Sequence, residues 1–295
     1  CGQAVLGNKA MSLVCTALHK GSFKLIPLWT PAMPHIAHIK SIKKTAARVA
    51  STTGAAARVA AEKVVYFPSC INQRMGPAKG DPVQRPLVDE TVELLGKAGY
   101  EVVFPKNLKN LCCGMTWESK GMPDVADAKT AELEAALREA SEGGRWPILC
   151  DQSPCLHRMR EKITGLKLYE PVEFIDKFVL EHLTLKPLDE KVALFAVCSA
   201  KKMGVDPCLK RVAERCAREV VVVDSNCDGF AGDRGFLFPE LNEHGLRDLR
   251  RQVEGCDEGF AVSRTCEVGL SRNSGIVFKS IVYLVARAAG IDTKK

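Results

Sequence analysis

The chain has 295 residues, of which 46% are hydrophobic and 26% charged, and a formal net charge of +7. This is the balance of a globular protein long enough for two ordinary cores. No run reaches about 18 uninterrupted apolar residues, which excludes a spanning helix. Thirteen cysteines stand in a chain that shows no signal peptide and is too large to need disulfides for stability. They read as buried thiols or as metal or cluster ligands.

Residues 1–62 read as a basic, Pro/Ala-rich arm or linker. Residues 27–34 (PLWTPAMP) are extended, and 41–62 are low-complexity and Ala-rich. Residues 1–63 hold nine Lys/Arg and one acid, Glu62, for a charge of +8, while the rest of the chain sums to −1. Such an arm suits an anionic membrane surface or an acidic partner, and its composition resembles organelle transit peptides; the plainer reading is a solvated linker. His35 and His38 belong to that arm rather than to a metal pair. The chain opens on Cys1, not Met, as a processed form or a fragment would. Nothing points to nucleic acid.

From residue 63 strands alternate with helices. The expected order is strand 63–67, helix 86–97 stopped by Gly99, strand 101–104, amphipathic helix 124–140 and strand 147–150. A second series follows: strand 191–197, helix 206–217, strand 219–223, helix 239–253, strand 259–262 and helix 276–289. Alternating βα units imply parallel sheets, so the fold class is α/β with two Rossmann-like domains, 63–185 and 186–295.

The two series repeat one another. KVVYFPSCINQRMG (63–76) matches KVALFAVCSAKKMG (191–204), aligning Cys70 with Cys198. NLCCGMTWESKGM (110–122) matches SNCDGFAGDRGFL (225–237), aligning Cys112 with Cys227, Cys113 with Asp228 and Gly114 with Gly229. CDQSPCL (150–156) matches SRTCEV (263–268), aligning Cys155 with Cys266. Each cysteine ends a strand or follows one, and ligand sites in parallel sheets form at those carboxyl ends.

The first set is Cys70, Cys112, Cys113, Cys150 and Cys155. Zinc favours C-x2-C pairs, and none is present. Adjacent Cys112 and Cys113 can reach different irons, and Gly114 lets the backbone approach. Four or five thiolates suffice for a [4Fe–4S] cluster, with Cys70, Cys112, Cys113 and Cys155 as the expected metal ligands. The alternative is a set of buried structural cysteines. The second set, Cys198, Cys227 and Cys266, has Asp228 where a fourth thiolate would stand. Carboxylate is a harder ligand than thiolate, so this unit reads either as a labile site with Cys198, Cys227 and Cys266 as its cofactor-binding residues or, the preferred reading, as degenerate and without a cluster. Cys208, Cys216 and Cys256 read as packing residues. The loop 229–235 (GFAGDRG) lacks dinucleotide-binding spacing.

On Cys70, Cys112-Cys113-Gly114, Ser153-Pro154-Cys155, Cys198, Cys227, the stretch 229–236 and Arg264-Thr265-Cys266-Glu267, the chain resembles a known family. It is similar to the cysteine-rich CCG domains of heterodisulfide reductase and of the iron–sulfur parts of glycolate oxidase and D-lactate dehydrogenase. The resemblance covers about residues 25–290 and is closest to the C-terminal region of FAD-linked D-lactate dehydrogenases. It implies an electron-transfer module. A flavin on a partner domain or subunit would oxidise a D-2-hydroxy acid such as D-lactate or glycolate, and electrons would pass through iron–sulfur centres to a quinone or cytochrome. The basic, transit-peptide-like arm and the lack of a signal peptide give the expected location: mitochondrial or cytoplasmic and membrane-associated, not secreted.

The chain departs from the pattern at Asp228, in having no ferredoxin-type C-x2-C-x2-C-x3-C-P run, and in having no flavin domain. Two other readings follow: a cluster-free structural or assembly subunit of a larger, respiratory-type complex, and a disulfide reductase subunit. The last is disfavoured by the C-x4-C spacing of Cys150 and Cys155 and by the lone Cys266.

Overall fold

The Val/Tyr/Phe run that opens the repeat forms a strand buried on both faces, as the central strand of a parallel sheet requires. The computed structural model describes residues 2–42, 62–78 and 80–293. The Ala-rich stretch 43–61 of the expected arm lies outside them. The strands are β1 (Pro34–Ile36), β2 (Lys63–Phe67), β3 (Met75–Ala78), β4 (Glu101–Val103), β5 (Ile148–Cys150), β6 (Leu168–Tyr169), β7 (Leu188–Leu194), β8 (Ala217–Val222), β9 (Glu258–Ala261) and β10 (Phe278–Ser280).

Two four-stranded sheets, all parallel, have the orders β4-β2-β5-β6 and β10-β9-β7-β8. In both, the first strand lies between the second and the third, and the fourth is at the far edge. The two units thus share one α/β topology, as the repeat requires. The loops after first and third strands leave in opposite directions, which opens a crevice at that switch point.

The short fourth strands, β6 and β10, interrupt runs with no strand signal of their own. Residues 276–289 divide into β10 and the helix Ile281–Ala288 because the Ser280 side chain accepts the Val282 N–H and starts the helix there. Glu170 performs the same capping for Val172 N–H, at 2.6 Å, after β6. The expected helix 239–253 breaks into Pro239–Gly245 and Leu249–Gln252. A β-carbon at Gly245 would lie 3.0 Å from the Cys227 carbonyl oxygen, so the helix closes against the cysteine loop only with glycine there.

The arm is partly helical. Residues 2–21 form a helix kinked at Gly7, built from Ala, Leu, Met and Lys with no proline before Pro27. β1 then pairs antiparallel with β3. The arm crosses both units: Leu28 N–H donates to Phe236 O at 2.7 Å, and the Asp89 carboxylate accepts from Lys40 and Ser41 N–H.

The units pack reciprocally. Helix Leu87–Lys97, after the first strand of one unit, lies on helix Ile281–Ala288, after the last strand of the other. Helix Asp206–Glu214 lies in turn on Pro171–Phe174. Residue types of each repeat therefore meet their opposite numbers, as in an isologous interface. The apolar cluster runs unbroken from Val64 and Leu94 through Val192 and Leu209 to Leu284. Lys279 on β10 is buried between Glu258 and the first unit's Asp81, each at 3.2 Å.

Burial pushes the capping carboxyl Glu170 up to about 8, against the pull of the Val172 and Glu173 N–H groups. The unfolded chain loses that proton near the ordinary glutamate value of about 4.3, and the folded chain retains it until about 8. Its contribution to stability is therefore greatest at acid pH and declines as pH rises through that window. Urea unfolding of Glu170→Gln, which keeps a capping oxygen, should show a gain over wild type at pH 9 relative to pH 5 of on the order of 1–2 kcal/mol.

Candidate functional site

Each unit gathers its cysteines at the carboxyl edge of its sheet. In the first, Cys70 is exposed on the loop after β2, Cys112 and Cys113 follow β4, and Cys155 is the third residue of helix Ser153–Lys162. Gly114 forces the turn that turns the cysteine pair inward. Its φ is +87°, and a β-carbon would lie 2.4 Å from Ala126 O. Its N–H points at Cys112 Sγ, 3.4 Å away. The Cys113 carbonyl accepts from Thr130 Oγ1 at 2.9 Å and from Arg158 Nε at 3.1 Å. Arg158 is wholly buried and pairs with Glu118 and Asp127.

The thiols form a contiguous group: Cys112 lies against Cys70 and Cys113, and Cys113 against Cys155. Donation from Cys113 and Cys70, with help from Gly114 N–H, holds Cys112 far below the ordinary thiol range, at about 2. Contact with Cys112 pushes both partners up. Proton loss thus begins on Cys112, the thiol at the centre of the group.

Cys150 lies behind the rim, in the same buried cluster as Cys113 and Cys155. It ends β5, fully buried, with its thiol 3.9 Å from Gln152 O. The next residue, Asp151, is a buried anchor: it accepts from Tyr66 Oη at 2.6 Å and Ser69 N–H at 2.8 Å, and its carbonyl accepts from Asn72 Nδ2 at 3.0 Å. These bonds fix the Cys70 loop. Burial raises the Asp151 carboxyl, and the bonds from Tyr66, Ser69 and Asn72 oppose that rise.

The second unit repeats the cradle. Gly229 has φ +71° and its β-carbon would meet Leu241 O at 2.6 Å. Its N–H lies 3.4 Å from Cys227 Sγ, and Asn242 Nδ2 donates to Asp228 O at 2.6 Å, in the role of Thr130. Cys198 and Cys227 are exposed and touch, while Cys266 is buried against Asp228. Contact with Cys227 lowers Cys198 to about 6 and raises Cys227. Ala261 and Val262 take the places of Cys150 and Asp151, so this unit has no buried carboxylate behind its first loop. Cys208, Cys216 and Cys256 are buried in the apolar cluster, as packing residues.

The two edges meet between the units. Ser199 Oγ donates to Ser153 Oγ at 2.9 Å, Gln152 Nε2 to Ser263 Oγ at 3.0 Å, and Arg264 N–H to Gln152 Oε1 at 3.0 Å. The Arg264 guanidinium reaches Gly76 O. Sequence reasoning did not select Thr130, Arg158, Asp151 or Asn242. The signals were a polar residue on the buried face of an amphipathic helix and an acid directly after an apolar strand.

Among the described residues, no three His, Cys, Asp or Glu side chains converge tightly enough to enclose a single ion. A multi-iron cluster makes a different demand, because each thiolate meets its own iron. Cys70, Cys112, Cys113 and Cys155 fit that demand: four contiguous thiols, one predisposed to ionise, on a rim with a glycine turn and inward N–H groups.

No family model matches the chain. Over 245 residues it is 26% identical to one of the subunits of the anaerobic glycerol-3-phosphate dehydrogenase of Escherichia coli K12, and equally to the same protein of strain O157:H7. The match covers 77% of this chain and 59% of the relative, so the chain spans about three fifths of the curated relatives' length. This is a distant likeness to a component of a dehydrogenase. Among solved structures, the aspartate racemase of Picrophilus torridus aligns with a TM-score of 0.35 at 8% identity, covering 78% of this chain and 94% of that one. A homologue from Pyrococcus horikoshii gives 0.28 at 13%, covering 77% and 96%. Overlaps this loose bear on neither fold nor function.

Replacing the Asp151 carboxylate with a methyl leaves Tyr66 Oη and Ser69 N–H buried without acceptors. Asp151→Ala should cost on the order of 2–4 kcal/mol in urea unfolding and speed alkylation of Cys70 by iodoacetamide. Val262→Ala, at the matching place in the second unit, removes no hydrogen-bond acceptor and should change Cys198 alkylation little.

Proposed function

We propose that the chain is an iron–sulfur electron-transfer module working with a flavin-containing dehydrogenase, and that substrate oxidation takes place on the partner. The convergence of Cys70, Cys112, Cys113 and Cys155 at the switch point carries this reading; the likeness to a dehydrogenase component supports it. A [4Fe–4S] cluster bound there supplies one-electron storage between a two-electron flavin and a downstream quinone or cytochrome. The chain's own residues hold the rim. Arg158 and Thr130 fix the Cys112-Cys113 turn, Asp151 fixes the Cys70 loop, and buried Cys113 and Cys155 keep water from the inner side. Exposed Cys70 leaves one edge open towards a donor or acceptor.

The partner's substrate is a small anion oxidised at a hydroxyl-bearing carbon. The family resemblance suggests D-lactate or glycolate, and the name of the E. coli relatives suggests glycerol 3-phosphate; all three share that chemistry. The arm is the docking element. Leu13, Val14, Leu18, Phe23 and Leu25 are exposed beside Lys9, Lys20 and Lys24, an arrangement suited to an anionic lipid surface and to a membrane-associated location in mitochondrion or cytoplasm.

After anaerobic reconstitution, Cys112→Ser and Cys113→Ser should each lose most first-unit iron and the charge-transfer absorption that goes with it, while Cys208→Ser and Cys256→Ser should retain both. A chain whose iron content is indifferent to Cys112 and Cys113 would refute the module. In a separate measurement, cosedimentation with phosphatidylserine vesicles should fall several-fold on deleting residues 1–26, and on raising salt well above the physiological range, where exposed charges are screened within a few ångströms. Binding that survives both changes would remove the arm from docking.

A further inference from the structure

The second unit lacks the buried braces of the first but keeps the turn that presents its ligand-like pair. Its glycine turn, the N–H aimed at Cys227 Sγ and the side-chain amide on the residue 228 carbonyl reproduce the turn at Gly114, the N–H on Cys112 Sγ and the Thr130 bond of the first unit. Drift after loss of a site does not account for so close a copy of that turn, because Gly229 with its positive φ and its close approach to a carbonyl is needed only to turn residues 227 and 228 inward.

Asp228 itself behaves as a ligand held in readiness. It is 3% exposed. Oδ1 accepts the Phe230 N–H at 3.2 Å and lies 3.9 Å from Cys227 Sγ. Oδ2 is buried with no hydrogen-bond partner, on a side chain that abuts Cys266. A buried carboxylate oxygen without a partner is costly, and a bound cation satisfies it directly. Three thiols, Cys198, Cys227 and Cys266, complete the set.

We infer that Asp228 is an iron ligand, and that the second unit takes a [4Fe–4S] cluster held by three thiolates and one carboxylate. This rests on the iron–sulfur reading of the first unit. Iron bound through the hard carboxylate oxygen is held less firmly among sulfur-bound neighbours than iron bound by thiolate. That iron is therefore the exchangeable one. On treatment with a one-electron oxidant such as ferricyanide, the cluster gives up one electron to the oxidant and one ferrous ion to solution. Cys198, Cys227 and Cys266 retain three irons and all four sulfides, and added ferrous ion with a reductant restores the fourth. The exposed Cys198 and Cys227 and the cavity of about 360 Å³ beside Cys227, walled by Asp224, Asn226 and Asp248, give that ion a path to solvent.

The test is anaerobic reconstitution of the full chain, with iron and sulfide analysis and electron paramagnetic resonance before and after ferricyanide. Wild type should bind roughly eight irons as two four-iron sets, and Cys113→Ser roughly four. Asp228→Asn keeps the acceptor for Phe230 N–H and so the fold, and should also fall to about half the wild-type iron. Ferricyanide should produce a three-iron signal in wild type and in Cys113→Ser, whereas Asp228→Cys should keep full iron and give no such signal from the second unit. Full iron in Asp228→Asn, a ferricyanide response in Asp228→Cys equal to wild type, or wild-type iron that Cys113→Ser removes completely would each overturn the inference. If Cys113→Ser keeps all bound iron while Asp228→Asn loses it, the first-unit reading fails and this one stands. A chain that binds no iron in any form overturns both.

Discussion

A parallel strand can be followed by another only if the chain first returns along the outside of the sheet. That constraint puts every strand-to-helix loop of this protein on one edge. Cysteines separated by about forty residues, such as Cys70, Cys112 and Cys155, are neighbours because each sits one loop past a strand end. The order of strands adds the crevice, since the first strand is flanked by the second and third. The glycine turns at 114 and 229 then bring the adjacent pair of residues to face it. Everything chemical about the molecule depends on this geometry, which joins residues far apart in sequence.

The support behind the two rims is unequal. The first has a buried guanidinium at Arg158 and a buried carboxylate at Asp151 bracing the loops from below. The second has neither, with Val262 where Asp151 would stand, and its polar group lies in the rim itself, at Asp228. Desolvation cost explains why one such group is tolerated at each position: both oxygens of the Asp151 carboxylate have a donor, whereas Asp228 is satisfied only in part by protein. A buried acid with an unused oxygen in the rim is a different object from a buried acid that braces a loop, even though both are carboxylates at the edges of equivalent sheets.

Much of the architecture is legible in the residues alone. The alternation of apolar runs with helical repeats gives the α/β class, the three-block repeat gives two like units, and the placement of cysteines after strands gives the convergence at their edges. What escapes is set by single side chains and by tertiary contact. β6 and β10 are two or three residues long and are defined by the caps at Glu170 and Ser280; in β10 the apolar run continues straight into a helix. The helix that opens at Pro239 ends at Gly245, which packs on the Cys227 carbonyl, a tertiary contact that no local propensity reports. The helix at 2–21 carries no capping acid in its first turn and an interrupting glycine at 7, so its pattern is weak beside the proline- and alanine-rich stretches that follow. Cys150 differs from the other thiols of its set in a way its sequence neighbours do not report: as the last residue of a central strand it is fully buried, behind Cys155.

The reciprocal packing of the two units has a consequence for how such a chain arises. Helices 87–97 and 281–288 meet in the way that 206–214 and 171–174 do, and the third-strand helix of each unit leans on the first loop of the other. A surface that is complementary to its own copy is what a symmetric dimer possesses. Here that surface lies inside one polypeptide, so the arrangement is that of a dimer whose two halves have been joined end to end. Joining lets each copy differ from its twin: one rim has sulfur at all four positions with braces behind them, while the other has oxygen at residue 228. Divergence of that kind is closed to a true homodimer, in which any substitution appears twice.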